Sequence, residues 1–518
     1  MSDIQLDTLE AKGLIKLAAL QPELEYLFRH ALVQEAAYGS LLKQERRDLH
    51  GRVGEALEQL FPDRRDELAP MLAMHFEQAG ERDRAIDYYV EAAQQALSQN
   101  AIHESFGAYD RAATLLEERA KGDGPAAVPG SEEDRAQRRR GIEVRIGRAK
   151  AGYSFLAEED AHAMLDAIVP DAEALGDLDL IADLHSLIAT YRLLVGERET
   201  SPLVARSLQR IREAGEALGD PSIRATPLAL VGMAEVFSGR LRDGVAKLEE
   251  AVPLLEGGED SIGAAFARGA LAVGYASLGR FREADEATAF SRKRAERGDL
   301  IAQLDALIME SMVRAQEGRL DLAGPIASEC VQRSQETGAS ACILASSWVL
   351  GDVFHRQGRF SEAKDVLRLG SDVSAVVDRR MWRPTLLAWL GSAAAAMGEV
   401  PEPDWEEALA TSEAIGNIGG VAGIRAKRAE TLAARGELEK ALPDFEASAA
   451  IIEEIGARPN LARLLRDWGE ALRKAGRTQE AAPILRRSLG LFEELGLDRE
   501  AGEVRTLLAL GETTIAFD

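Results

Sequence analysis

Trp348, Asp352, His355 and Arg356 are spaced by four, three and one residues, which puts an indole, a carboxylate, an imidazole and a guanidinium along one side of a helix. Such groups suit recognition. An indole face and a guanidinium hold a peptide or a small effector by stacking, cation–π attraction and charge-assisted hydrogen bonds. They do not assemble a catalyst. No second histidine or carboxylate pair gives His355 metal-ligand spacing, and the 7 histidines are scattered. Carboxylates are plentiful but fall on solvated helix faces. No G-x-x-x-x-G-K-[ST] loop offers a triphosphate a backbone cradle with its lysine. Gly419-Gly420-Val421-Ala422-Gly423 opens a helix with no strand before it, so it is a poor phosphate motif. The expectation is a chain with no cofactor, no metal and no catalytic residue: not an enzyme.

The elements that position these residues repeat. Between Leu465 and Gly496, residues Trp468, Gly469, Leu472, Gly476, Ala481, Leu485 and Ser488 run large, small, large, turn, small, large, small. A large side chain needs a small one opposite it if two antiparallel helices are to approach to about 8–10 Å. Helix-ending glycines recur about every 40 residues at Gly196, Gly239, Gly279, Gly318, Gly358, Gly398, Gly436 and Gly476. A second series sits half a period later at Gly176, Gly219, Gly258, Gly298, Gly338, Gly416, Gly456 and Gly496, with Asp378 in its one gap. Small residues precede the turns (Gly232, Ala272, Ser311, Gly351, Gly391, Ala429, Gly469) and follow most of them (Gly244, Ala284, Ala323, Ala363, Ala441, Ala481). The next large slot holds Leu248, Leu367, Phe445 and Leu485, whereas Thr288 and Ala327 are weak there. Pro401 and Pro403 interrupt the second helix of the Gly398 unit. One hairpin buries only one stripe, so hairpins must stack.

This pattern resembles the tetratricopeptide repeat, in the longer-helix variant found in large bacterial signalling ATPases. HEAT and armadillo repeats share the period but not the small–turn–small spacing. The resemblance implies an all-α fold, a TPR-like α-solenoid: a right-handed superhelix of hairpins about 40 residues long. In such arrays the first helices line the concave groove, at fixed positions before the turn glycine. Those positions hold Met233, Val236 and Phe237, then Val273, then Ile308 and Met312. Trp348, Asp352, His355 and Arg356 follow, and Arg466, Glu470, Arg473 and Lys474 come last. The groove should pass from apolar through one mixed patch to basic. The candidate partner-binding residues are Met312, Trp348, Asp352, His355, Arg356, Arg466 and Arg473. The lysine–asparagine clamp that some chaperone-binding arrays use on a carboxylate is not evident.

The N-terminal part differs. Leu6, Leu9 and Gly13 read as a helix end and a turn, and Leu14–Leu20 with Leu24–Phe28 as a hairpin across Gln21–Pro22. Then Phe28-Arg29-His30-Ala31-Leu32-Val33-Gln34-Glu35-Ala36-Ala37-Tyr38 leads to Leu41-Leu42, Arg46-Arg47, Leu49-His50 and Leu57-Glu58. This resembles the winged-helix end of signal-transduction (STAND-type) ATPases where it joins the superhelical arm, as in bacterial cyclase/ATPase/TPR fusions and large ATP-dependent transcriptional regulators. In that family a histidine at the place of His30, ahead of a Leu-Val like Leu32-Val33, senses the β-phosphate of ADP. Here Ala31 replaces the family's acid and no nucleotide core accompanies it, so His30 is expected to be a vestigial nucleotide sensor. The family's cyclase, phosphate-loop and helix-turn-helix parts are missing, which reads as a split or shortened ancestor or a late start.

The expected organisation is a winged-helix remnant and junction helix over 1–60, first TPR-like helices over 61–120 and a linker over 121–134. A superhelix with a C-terminal capping helix should fill 135–518. Three helices are expected across 66–120, with Tyr88, Tyr89, Tyr109 and Phe106 as core. Gly122, Gly124, Pro125, Pro129 and Gly130 mark the linker. Arg135, Arg138, Arg139, Arg140, Arg145, Arg148 and Lys150 read either as a solvated face countering acidic neighbours or as a dock for an acidic partner. Arg499–Leu510 is the expected cap, and Thr513–Asp518 is expected to fray.

A formal net charge of −25 argues against DNA or RNA as partner. Cys330 and Cys342 form no disulfide or metal pattern, and Cys330 falls on a small, buried slot. No apolar run is long enough for a membrane span and no signal-peptide pattern opens the chain, so a cytoplasmic protein is expected. The function implied is a non-catalytic interaction and effector-sensing scaffold, the arm of a bacterial signalling ATPase or cyclase-type regulator, with a protein or peptide partner or a small effector. The alternative is the regulatory part of an ATP-binding transcriptional regulator or adenylate/guanylate cyclase whose catalytic domains are missing or encoded upstream, acting with a partner ATPase or cyclase.

Overall fold

The fold is seen in a computed structural model that describes residues 3–19, 25–99, 101–121, 130–153, 156–257, 261–296, 300–377, 382–399 and 405–515. The chain divides into two compact units, Met1–Ala96 with Gly107–Pro125, and Leu97–Phe106 with Ala126–Asp518.

The first unit begins with α1 (Asp3–Ala11), then an antiparallel pair, β1 (Ile15–Ala19) and β2 (Glu25–Phe28). Ile15 faces Phe28 and Leu17 faces Tyr26, which is the hairpin expected across Gln21–Pro22; its tip lies outside the described residues. Helices α2 (Ala31–Gly39), α3 (Lys43–Leu60), α4 (Arg65–Ala79), α5 (Arg82–Ser98) and α6 (Ile102–Ala120) follow. The last three are the helices expected across 66–120. Phe76 stacks on Tyr88 with centroids 5.5 Å apart, and the Tyr88 hydroxyl donates to Glu58. Tyr88 and Tyr109 are buried, while Tyr89 and Phe106 are half-buried.

The second unit opens with α7 (Glu132–Gly152) and α8 (Glu158–Leu175). Ser131 caps α7, accepting from the Asp134 N–H, and Glu132, Glu133 and Asp134 favour the positive helix end. The helix therefore takes up the last residues assigned to the linker, of which 122–129 lie outside the described residues. Its basic residues meet acids: Arg138 pairs with Asp134 and Asp171, Arg139 with Glu143 and Asp177, and Lys150 with Asp183.

The hairpins then follow one another. The first four are α9 (Leu178–Leu194) with α10 (Pro202–Leu218), α11 (Pro221–Ser238) with α12 (Leu241–Glu256), α13 (Ser261–Ser277) with α14 (Phe281–Ala295), and α15 (Leu300–Gln316) with α16 (Leu320–Thr337). The next four are α17 (Ser340–Arg356) with α18 (Phe360–Val377), α19 (Arg383–Ala396) with α20 (Trp405–Ala414), α21 (Ile418–Ala434) with α22 (Leu438–Ile455), and α23 (Arg458–Lys474) with α24 (Thr478–Glu494). Helix α25 (Asp498–Ile515) closes the series and continues beyond Leu510, so Thr513–Ile515 are helical. Pro401 and Pro403 lie outside the described residues, but α20 has only 10 residues.

Where the large slot is filled, the hairpin is built as the large–small alternation requires. A Cβ on Gly351 would stand 2.4 Å from Leu367 Cγ, and one on Gly469 2.5 Å from Leu485 Cγ. Every glycine of the first turn series has positive φ, as do Gly176, Gly219, Gly338, Gly416, Gly456 and Gly496. Gly258, Gly298 and Asp378 lie outside the described residues. Even the weak slots, Thr288 and Ala327, are buried.

A second regularity joins the helices through side chains. Ser291, Ser448 and Ser488 each donate to a carbonyl of the preceding inner helix, those of Ala265, Ala422 and Ala462. Cys330 fills the same place, its Sγ 3.6 Å from the Leu304 carbonyl oxygen. Burial pushes the Cys330 thiol up to about 12. Cys330 is therefore expected to resist alkylating reagents in the folded chain and to react on unfolding. Cys330→Ser should be nearly neutral, within about 1 kcal/mol, because the hydroxyl inherits the carbonyl. Rapid labelling without denaturant would contradict this.

The stacked hairpins coil far enough to meet themselves. The end of α11 abuts the start of α21: a Cβ on Gly239 would stand 2.6 Å from the Gly419 nitrogen. Similarly the turn at Gly279 meets Pro459 and Leu495, and that at Gly318 meets Glu500. Inner helices about five hairpins apart thus stack end to end, so one turn rises by about one helix length, roughly 25 Å. The negative C-terminal end of one helix faces the positive N-terminal end of the other, a favourable arrangement of dipoles.

Candidate functional site

Where the two turns meet, the inner helices line a partly open cavity of about 300 Å³. Val236, Phe237, Val273 and Met312 come from α11, α13 and α15, the apolar wall. Trp348, Asp352 and Arg356 come from α17, while Trp382 and Trp389 come from the start and middle of α19. Lys427 and Glu430 of α21 and Arg463, Arg466 and Asp467 of α23 complete it from the next turn.

Of the residues singled out in the sequence, Met312, Trp348, Asp352, Arg356 and Arg466 stand on this wall, and His355 and Arg473 do not. His355 turns toward α19, where its Nε2 lies 3.0 Å from Ser392 Oγ and its ring meets Phe360 edge-on. Met233 and Ile308 are buried in the core. The basic end expected of the groove is neutralised: Arg466 pairs with Asp467 and Glu503, and Lys474 with Glu470. His30 belongs to the first unit, exposed before α2, and makes no capping hydrogen bond through its side chain.

The tryptophans pack around Trp348, with centroids 5.9 Å from both Trp382 and Trp389. Trp389 Nε1 donates to Asp352 Oδ1 at 2.9 Å, and Lys427 Nζ lies 5.4 Å from the Trp389 ring centroid. Trp348 Nε1 is buried and has no hydrogen-bond partner among the described residues. Burial disfavours the Asp352 carboxylate, but Arg356, 3.6 Å away, and Lys427 outweigh it and hold the group below the usual carboxylate range. Lys427, itself buried, is kept charged against that burial by Glu430 at 2.8 Å and by Asp352. Burial pushes the Glu430 carboxyl up; Lys427 opposes this and Asp467 adds to it.

On the far side of Arg356 from Asp352 stands Glu500, which Arg463 and Arg356 share at 3.2 Å and 3.7 Å. Arg463 also donates to the Gln316 side chain and main-chain carbonyl, 147 residues away in the chain, and Arg356 donates to the Ala315 carbonyl. Burial, aided by repulsion from Arg356, lowers the Arg463 guanidinium to about 9.

Burial, with the charge of Lys427, pushes the His355 imidazole down to about 3. An unfolded histidine titrates near 6.5, so between about pH 6.5 and 3 the unfolded chain binds a proton that the folded chain does not. Stability should fall as pH drops through that window. His185 and His162, lowered by burial, act in the same sense. His355→Gln is expected to flatten part of the decline in thermal midpoint below pH 6.5; an unchanged slope would rule out His355 as a contributor.

Trp389, Lys427, Glu430, Arg463 and Asp467 went unmarked in the sequence. Glu430 holds the groove position of its own repeat, six residues before Gly436, and that rule would have found it. Arg463 lies near the start of its helix, and only the pitch of the superhelix brings it opposite Gln316.

A tetratricopeptide-repeat family profile matches residues 421–494, the last two hairpins. No curated protein matches the chain. Among solved structures, a Rap protein complexed with competence and sporulation factor is similar with a TM-score of 0.50 and 14% identity, over 68% of this chain and 98% of that one. The APC/C hetero-tetramer Cut9–Hcn1 covers 94% of this chain and 93% of its own, at 12% identity and a TM-score of 0.46. The Rap conjugation gene regulator of plasmid pLS20 in complex with the Phr* peptide covers 80% and 97%, at 13% identity and a TM-score of 0.41. The chain is a TPR-like α-solenoid. Among the described residues no helix is long and apolar enough to cross a membrane.

Proposed function

We propose that the solenoid is a non-catalytic interaction and effector-sensing scaffold whose lumen takes a peptide, a protein segment or a small effector. The observation that carries this reading is the cavity itself, with an apolar wall, three tryptophans and charges of both signs supplied by two successive turns. A Rap protein of similar fold is seen complexed with competence and sporulation factor, which supports a role in holding a partner. Trp348→Ala with Arg356→Ala should weaken capture of the cognate partner, recovered by affinity purification from native cells, by at least about tenfold. Undiminished capture by a folded double variant would remove the cavity from the proposal.

The finer reading is that this scaffold serves a signalling ATPase or cyclase, as its sensor arm or as a separate regulatory subunit. Two observations favour it. Residues 28–58 resemble the winged-helix junction of such ATPases, and the same region carries exposed apolar side chains. Leu32 and Leu42 are 78% and 70% exposed, and α2 has no buried residue. Co-purification of an ATPase or cyclase that is lost on Leu32→Ser/Leu42→Ser tests this reading separately from the cavity.

A further inference from the structure

The cavity sets cations and carboxylates side by side. Arg356 and Arg463 share Glu500, and Arg356 also lies 3.6 Å from Asp352, one turn back on α17. Lys427 pairs with Glu430 and Arg466 with Asp467. Arg463 Nε is buried and has no hydrogen-bond partner among the described residues. Two guanidiniums thus divide one shared carboxylate, and a second carboxylate stands beside one of them. On the same wall lie the faces of Trp348 and Trp389, set 72° to each other, and the Trp348 N–H, which has no acceptor among the described residues.

Contacts between the turns limit what can enter. Gly239 against Gly419 and Gln316 against Arg463 bring successive turns into contact on the cavity's border. No folded domain passes between turns that touch. The volume, about 300 Å³, is at the small end of ligand pockets.

We propose that this cavity binds a small zwitterion bearing an aromatic side chain, of the size of a free aromatic amino acid or an aromatic dipeptide. Its carboxylate goes to Arg356 and Arg463, its ammonium to Asp352 and the neighbouring acids, and its ring to the tryptophans. This rests on the lumen's being the binding surface and narrows that reading from any peptide to a molecule with both charges free. A ligand carboxylate also competes with Glu500 for the two arginines, so occupancy acts on a contact that joins the turns.

The tryptophans provide the assay, since three of the chain's 5 line the cavity. Intrinsic fluorescence of the full chain would be titrated with phenylalanine and phenylalanyl-phenylalanine. The same titration would use N-acetyl-phenylalanine, phenylalaninamide and a mixture of hexapeptides capped at both ends. Saturable changes are expected with the two zwitterions, weakened at least about tenfold when either charge is blocked. Asp352→Asn should weaken phenylalanine more than N-acetyl-phenylalanine, because only phenylalanine presents an ammonium to that carboxylate. Equal binding of the blocked compounds overturns the proposal. Binding of the capped hexapeptides alone overturns it too, but leaves the lumen as a peptide groove. No saturable change with any probe overturns both.

Discussion

Gly239→Ala is expected to destabilise the second unit by about 2–5 kcal/mol, while Gly436→Ala costs about 1–2 kcal/mol. The two glycines look alike in sequence: each ends the first helix of its hairpin and each has positive φ, 96° and 79°. The left-handed conformation alone costs a Cβ-bearing residue about 1–2 kcal/mol, and both variants carry that. Only Gly239 meets a second constraint. Its added Cβ would stand 2.6 Å from the Gly419 nitrogen and 2.9 Å from the Gly419 Cα, whereas Gly436 has nothing within 4 Å. The obstacle is backbone, not a side chain with a free end, so the methyl must push two turns of the superhelix apart, adding about 1–3 kcal/mol. Unfolding midpoints of the two variants, with the radius of gyration from small-angle scattering, measure both consequences. Gly239→Ala should lower the midpoint further and enlarge the particle; equal midpoints would mean the turns do not bear on each other. Because Gly239 and Gly419 also border the cavity, the same variant should loosen ligand binding.

That comparison marks what could be read from the sequence. The contact of Gly469 with Leu485 joins neighbouring helices, so its signature lies within one repeat, and the small residue before the turn, present in seven repeats, made the hairpins legible. The meeting of Gly239 with Gly419 depends on the rotation accumulated over about five hairpins, and no local spacing encodes it. The groove face was legible for the same local reason, but only to the width of one residue. His355 and Arg356 are neighbours, and a helix turns by about 100° between them. Arg356 faces the cavity and His355 faces Ser392 on α19. The charged half of the site was the least legible. Lys427 and Arg463 look like ordinary basic residues on helices rich in them, and their burial appears only once one turn covers the other. The acidic overall composition conveyed nothing of it either, since nearly every charge at the cavity is answered locally.

Arg463→Ala should cost about 3–5 kcal/mol, far more than the exposed pairs that cover the outer helices. Arg463 and Glu500 are 8% and 6% exposed, so removing the guanidinium leaves a carboxylate in a site that water scarcely reaches. It also takes the donor from the Gln316 side chain and carbonyl, where an unsatisfied buried acceptor costs about 1–3 kcal/mol. Arg356, 3.7 Å from Glu500, recovers part of the loss, which sets the expected value at the lower half of the range. The pair need not stabilise the fold in itself: replacing both partners together, Arg463→Met with Glu500→Leu, should recover most of the stability. A double-mutant cycle on the unfolding free energy therefore distinguishes a desolvated latch, with coupling of at least about 1 kcal/mol, from an incidental contact with coupling near zero. Salt separates them independently. Screening acts on charges that face solvent, so raising the ionic strength should weaken pairs such as Arg359 with Glu362 and leave the Arg463 deficit almost unchanged. The single variant should also expand the particle, because Gln316 and Arg463 belong to different turns and the hydrogen bonds between them join those turns.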